Sequence, residues 1–132
     1  MSIPKPGRPV RGSRTGRPMM ALLDLLGRRW ALRVLWELRL GALTFRALRD
    51  ACDAVSPTVL NQRLAELRDA GVIEHLGEGG YVLTTEGEAL LAAMAPLHQW
   101  SERWAKREEK RRPSGARSIG SARVPKAPLA KT

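Results

Sequence analysis

Residues 43–71 read LTFRALRDACDAVSPTVLNQRLAELRDAG, and the spacing of caps and leucines in this stretch decides the fold. Thr44 stands where it can cap a short helix over 45–51. Leu43 before the cap and Leu48 at the fourth helical position have the spacing of a hydrophobic staple. Residues 52–55 make a turn, and Ser56 caps a longer helix that begins with Pro57, where a missing N–H costs nothing. Val55 and Leu60 repeat the staple. This second helix is expected to run to Ala70, to bury Leu60, Leu64 and Leu67, and to stop at Gly71.

Working outward, residues 19–26 (MMALLDLL) predict a short helix that is apolar nearly all round, so something must cover it. A second helix is expected from about Arg28 to Leu40, with Ala31, Val34, Leu35 and Leu38 on one stripe. Arg33 and Glu37 pair at i,i+4 on its outer side, and Gly41 stops it. Beyond Gly71 the period changes to that of strands: 72–76, a turn over 77–80, and a return over 81–83. Thr84 or Thr85 then caps a last helix, with Glu88 placed for a capping box from Thr85. Its stripe of Leu90, Leu91, Met94, Leu97, Trp100 and Trp104 keeps helical spacing for about four turns, with a kink expected at Pro96. The order helix, helix, helix–turn–helix, β-hairpin, long helix predicts a mainly α fold with a small β-hairpin, a winged helix-turn-helix.

The 132 residues carry a net charge of +10, and that charge sits at the ends. Residues 1–18 hold five bases and no acid, residues 19–104 nine bases and eleven acids, and residues 105–132 nine bases and two acids. Seven of the nine prolines lie in 1–18 and 113–132, which also lack hydrophobic periodicity. The expected organisation is a disordered basic N-terminal arm (1–18), a folded domain (19–112) and a disordered basic C-terminal tail (113–132). Cationic arms on a near-neutral core suit a polyanionic partner. No apolar run approaches the length of a membrane span, and no apolar stretch follows the N-terminal basic residues as in a secretory signal. A cytoplasmic protein without membrane association is expected.

Function is expected to reside in the helix–turn–helix, since a capped second helix can present its N-terminus to the major groove. With Leu60, Leu64 and Leu67 inward, Thr58, Gln62 and Ala65 face outward, flanked by Asn61 and Arg63. Gln and Asn can each bond adenine through two contacts, and Arg reads guanine or grips phosphate. Small Thr58 and Ala65 let the backbone approach. Arg46 and Arg49 on the preceding helix, with Arg68, are placed to hold phosphates.

In the arm, Gly7-Arg8-Pro9 and Gly16-Arg17-Pro18 repeat nine residues apart. They resemble the core of an AT-hook without its leading Arg. Arg8, Arg14 and Arg17 are candidates for phosphate or minor-groove contact.

Residues 26–104 resemble the HxlR family of bacterial winged-helix transcription regulators, relatives of the MarR group. The likeness is carried by Leu26-Gly27-Arg28-Arg29-Trp30, by Gly41 with Phe45 and Leu48, and by Val55-Ser56-Pro57 followed by Leu60, Gln62-Arg63-Leu64, Leu67 and Gly71-Val72. It ends with Tyr81-x-Leu83-Thr84-x-x-Gly87. The resemblance implies a homodimer built from the first and last helices on a pseudopalindromic operator. It also implies that Ser56, Pro57, Thr58, Asn61, Gln62 and Arg63 line the DNA face. Candidate dimer contacts are Met19, Leu22, Leu23, Leu26, Leu90, Met94, Leu97, Trp100 and Trp104. Three features depart from the family: Arg17-Pro18-Met19 where it often carries a Cys, Thr44 where a base usually precedes Phe45, and a short wing bearing Glu78 without Lys or Arg.

Other chemistries find little support. Cys52 is the single cysteine, has no Lys, Arg or His within two residues, and reads as a packed thiol. His75 and His98 are isolated, and no metal cluster, phosphate loop or nucleophile elbow appears. Neither an enzyme nor a cofactor is expected. Trp100 and Trp104 read as an interface, with an aromatic small-molecule effector as the alternative use. Two other functions compete with sequence-specific regulation: a nucleoid-associated architectural protein led by its tails, and a winged helix that binds protein or RNA.

Overall fold

A computed structural model describes residues 3–112, and the proposed tail 113–132 lies outside them. The helices are α1 (Pro18–Leu26), α2 (Ala31–Glu37), α3 (Phe45–Ala51), α4 (Pro57–Asp69), α5 (Thr85–Ala93) and α6 (Ala95–Arg111), and the strands are β1 (Ile73–His75) and β2 (Tyr81–Leu83). The core of the helix–turn–helix follows the caps. Thr44 Oγ1 accepts the Ala47 N–H at 3.1 Å and Ser56 Oγ accepts the Val59 N–H at 3.1 Å. Each such cap is worth about 1 kcal/mol. Leu35, Leu38, Leu48, Leu60, Leu64 and Leu67 are fully buried and form the centre of the core.

Between α3 and α4, Asp53 and Ala54 both take left-handed backbone conformations, with φ of 57° and 58°. The turn closes through the Ala54 N–H on the Arg49 carbonyl at 2.9 Å. The antiparallel hairpin pairs Ile73 with Leu83, Glu74 with Val82 and His75 with Tyr81. Leu43, just before α3, exchanges two backbone hydrogen bonds with Tyr81 and pins the hairpin to the helix–turn–helix. Gly80 makes that approach feasible: its φ is +87°, and a Cβ there would stand 2.2 Å from the Leu43 carbonyl oxygen.

Four local expectations need correcting. The second helix begins at Ala31 rather than Arg28, because Gly27 closes α1 on the Leu23 carbonyl and Trp30 sits at φ 75°. Its end tightens into a 3-10 turn over Leu38–Leu40. Of the two caps expected for α5, Thr84 serves and Thr85 does not. Thr84 Oγ1 accepts the Gly87 N–H at 3.0 Å and donates to the Gly71 carbonyl at 2.7 Å, so no Thr85–Glu88 box forms. The last helix does not merely kink at Pro96. It ends at Ala93 and restarts after Met94, since proline lacks the N–H and its ring collides with the carbonyl four residues back. The described residues divide there into two compact units, one ending at Ala92 and the other beginning at Ala93.

The arm also differs from expectation. Residues 3–17 are drawn into turns against the first unit instead of lying unstructured. Ile3 is buried, the Gly7 N–H donates to the Gly16 carbonyl at 2.9 Å, and Val10 and Ser13 exchange two backbone bonds. The two Gly-Arg-Pro repeats thus lie side by side. A Cβ on Gly16 would fall 2.1 Å from the Arg8 carbonyl oxygen, so that pairing requires glycine.

Candidate nucleic-acid interface

The N-terminal half of α4 projects Ser56, Pro57, Thr58, Asn61 and Gln62, with Ala65 and Arg68 further along, and all are exposed. The side chains of Thr58, Asn61, Gln62 and Arg68 hold no hydrogen bond or ion pair with a described residue, so their polar atoms are available. The positive end of the helix dipole points the same way and favours an anion there. Arg46 on α3 is likewise exposed and unengaged among the described residues. Arg49 is half-buried, its Nε donating to the Val55 carbonyl at 2.7 Å, which braces α3 against the turn.

Arg63 is a correction. Expected on the DNA face, it turns inward: Nε donates to the Arg29 carbonyl at 2.8 Å, and Nη1 lies 2.7 Å from Glu66 Oε1. Glu66 is itself only 5% exposed, and its other oxygen lies 2.9 Å from Arg28 Nη1. The carboxylate joins α4 to the α1–α2 junction through two arginines. A signal for this was present in the periodicity. Val59, Arg63, Glu66 and Ala70 recur at helical spacing beside the leucine stripe, and none of the four is fully exposed. Charges at two of those positions hid the stripe.

The arm's five cations divide into two sets. Arg11 pairs with Asp24 at 3.3 Å and Lys5 with Asp69 at 3.9 Å, tying the arm to α1 and α4. Arg8, Arg14 and Arg17 remain exposed, with no ion pair to a described residue. The wing tip, a 3-10 turn over Gly77–Gly79, offers only Glu78 as a charge.

Cys52 is fully buried, and burial pushes its thiol up to about 11, with Arg33 opposing and Glu37 and Asp53 reinforcing the rise. A group whose folded value is raised in this way keeps its proton in the native state while the unfolded chain releases it. Stability should therefore fall as pH rises from about 9 toward 11. At pH 8 the native thiol should resist alkylation and react only at the rate of unfolding. Fast labelling of the native protein by a maleimide would contradict that. His75 stacks on Tyr81 at 4.3 Å, and no group of three or more metal-ligating side chains occurs among the described residues.

Of the candidate dimer residues, Met19, Leu23, Leu97, Trp100 and Trp104 are exposed, and Leu22, Leu90 and Met94 are half-buried. Leu26 is a second correction: at 6% exposure it belongs to the core of its own unit. On α6, Trp100 and Trp104 stack with centroids 5.8 Å apart.

Residues 25–109 match the HxlR-like helix-turn-helix family. The chain belongs to that family. A curated relative, an uncharacterized HTH-type transcriptional regulator of Methanocaldococcus jannaschii, is 28% identical over 89 residues, covering 64% of this chain and 83% of that protein. The regulator YvaP of Bacillus subtilis is 30% identical over 88 residues, covering 62% and 82%. Among solved structures, quinone-bound YodB of B. subtilis matches with a TM-score of 0.60 at 28% identity, over 64% of this chain and 94% of that one. A possible HxlR family transcriptional factor from Thermoplasma volcanium matches with a TM-score of 0.59 at 26% identity, over 67% and 85%. This HxlR-type chain is a winged-helix transcriptional regulator and not an enzyme. No described helix is long and apolar enough to cross a membrane.

Proposed function

We propose that the protein acts in the cytoplasm as a homodimer that binds a pseudopalindromic DNA operator, inserting the N-terminal half of α4 into the major groove. The observation that carries this reading is the unengaged polar face of Thr58, Asn61 and Gln62 on a helix fixed at its start by Ser56. Gln62 and Asn61 read base edges, while Arg46, Arg68 and the outer guanidinium nitrogens of Arg49 hold phosphates. Arg8, Arg14 and Arg17 add phosphate or minor-groove contact, supplying charge that the wing lacks. Met19, Leu23, Leu97, Trp100 and Trp104 supply the apolar surface for pairing.

Selection from random-sequence duplexes, followed by footprinting, should yield two half-sites near one helical turn or a multiple apart. On that operator, Gln62→Ala should lose about 1–3 kcal/mol and relax the preference at one base position per half-site. Selection that enriches no motif would sink the reading. A single-chain mass by sedimentation at micromolar concentration, with operator binding intact, would remove the dimer.

A second reading, an architectural DNA-binding protein, draws on the three outward arginines of the arm. It predicts a specific-to-competitor affinity ratio near one at physiological salt. YodB is quinone-bound in one structure. A thiol-based switch does not fit this chain, whose single cysteine is fully buried.

A further inference from the structure

Residues 27–30 join α1 to α2, and the chain fixes them firmly. The Arg28 N–H donates to the Leu25 carbonyl at 3.3 Å, and the Ala31 N–H to the Arg28 carbonyl at 3.0 Å. From α4, Arg63 Nε donates to the Arg29 carbonyl at 2.8 Å, and Glu66 lies 2.9 Å from Arg28 Nη1. Trp30 is kept at a φ of 75°, a left-handed conformation that is costly for a bulky side chain and persists only where its surroundings over-determine it. Amid these restraints the Arg29 side chain is exposed and holds no hydrogen bond or ion pair with a described residue. The cluster also has charge to spare. The guanidinium groups of Arg28, Arg29 and Arg63 stand against the one carboxylate of Glu66, and such an excess of positive charge favours an anion beside it.

We infer that Arg29 grips a backbone phosphate on the wall of the groove that α4 enters, an assignment that rests on the proposed function. An α-helix with its side chains is about 10–12 Å across, and the major groove is about 12 Å wide. A segment packed on the flank of α4 therefore lies over a groove wall, where the phosphates stand. The α1–α2 junction is packed on that flank at Arg63, one residue beyond the base-reading Gln62. The contact that spacing assigns to Arg63 passes to Arg29, while Arg63 fixes the peptide from which Arg29 reaches. The planar fork of Arg29 suits a phosphate, and its anchored backbone leaves only side-chain freedom to lose on binding. A phosphate contact of this kind sets affinity and register without reading sequence.

The test uses the full chain and the operator obtained by selection, with affinity followed by fluorescence anisotropy over a salt series. Arg29→Ala should weaken binding about five- to tenfold at physiological salt, uniformly across operator variants. The slope of log K against log[salt] should become shallower by about 0.9 for each subunit bound. Base preferences and the thermal midpoint should stay those of the wild type. Arg29→Lys should restore most of the slope. Arg39→Ala, which removes a guanidinium stacked on Trp36 beyond the far end of α2, should leave the slope unchanged. In an operator scanned with single uncharged methylphosphonates, one position per half-site should weaken the wild type but not Arg29→Ala. An unchanged slope, a relaxed base preference, a loss of affinity that follows a lowered midpoint, or a methylphosphonate profile identical to that of the wild type would each overturn the assignment. Failure of the operator reading shows differently, as a selection that enriches no motif. The same salt series on a random duplex then decides Arg29 by the same slope.

Discussion

Replacing Glu66 by alanine should destabilise the protein by about 3–5 kcal/mol, the range for removing one partner of a buried ion pair. The carboxylate is almost wholly buried between Arg28 and Arg63, whose side chains are 23% and 15% exposed. Without it, two guanidinium groups remain mostly out of water, with Arg63 retaining only its bond to the Arg29 carbonyl. Glu66→Gln keeps the shape and one acceptor and should cost less. Denaturant unfolding with the slope held constant measures both. A loss under about 1 kcal/mol for Glu66→Ala would mean that water reaches the arginines freely. The same variant should loosen α4 from the α1–α2 junction, so operator affinity should fall even where the folded fraction stays high.

Gly87→Ala should also destabilise, by about 3 kcal/mol, against the sign that helix propensity alone would give. Gly87 lies in the first turn of α5 with an unstrained φ, and alanine in a helix is favoured over glycine by about 1 kcal/mol. Space decides otherwise. A Cβ there would stand 2.0 Å from the Val72 carbonyl oxygen and 3.2 Å from Leu83 Cδ2. That oxygen also accepts the Thr84 N–H at 3.0 Å, so a shift that relieves the clash breaks the hydrogen bond at the helix entrance. Thermal unfolding of Gly87→Ala should show a lower midpoint. A raised midpoint would mean that α5 and the hairpin adjust at no cost.

These two sites also mark what could be read from the chain and what could not. Thr44, Ser56-Pro57 and the leucine stripe of α4 act within a few residues of themselves, so the helix–turn–helix was accessible from spacing alone. The polar face of Thr58, Asn61 and Gln62 followed directly from that stripe. Arg63 departs from the outward face that spacing predicts because the partner that turns it inward, the Arg29 carbonyl, lies 34 residues away. Leu26 departs for a related reason, since periodicity marks a residue as apolar without saying which apolar surface covers it. The order of the arm depends on single contacts such as Ile3 in the core and Arg11 on Asp24, which leave no period in the sequence. At Pro96, local chemistry named the disturbance correctly but not its extent.

The pairing of the two Gly-Arg-Pro repeats changes the thermodynamic character of the arm. A free basic tail of that length would surrender roughly 1–2 kcal/mol of backbone entropy for each residue that settles on a duplex. Here the Gly7–Gly16 and Val10–Ser13 bonds, with Arg11 held on Asp24, incur that loss when the chain folds. In the proposed complex, Arg8, Arg14 and Arg17 would reach phosphate from a backbone that is already ordered, and their binding entropy would come chiefly from released counterions.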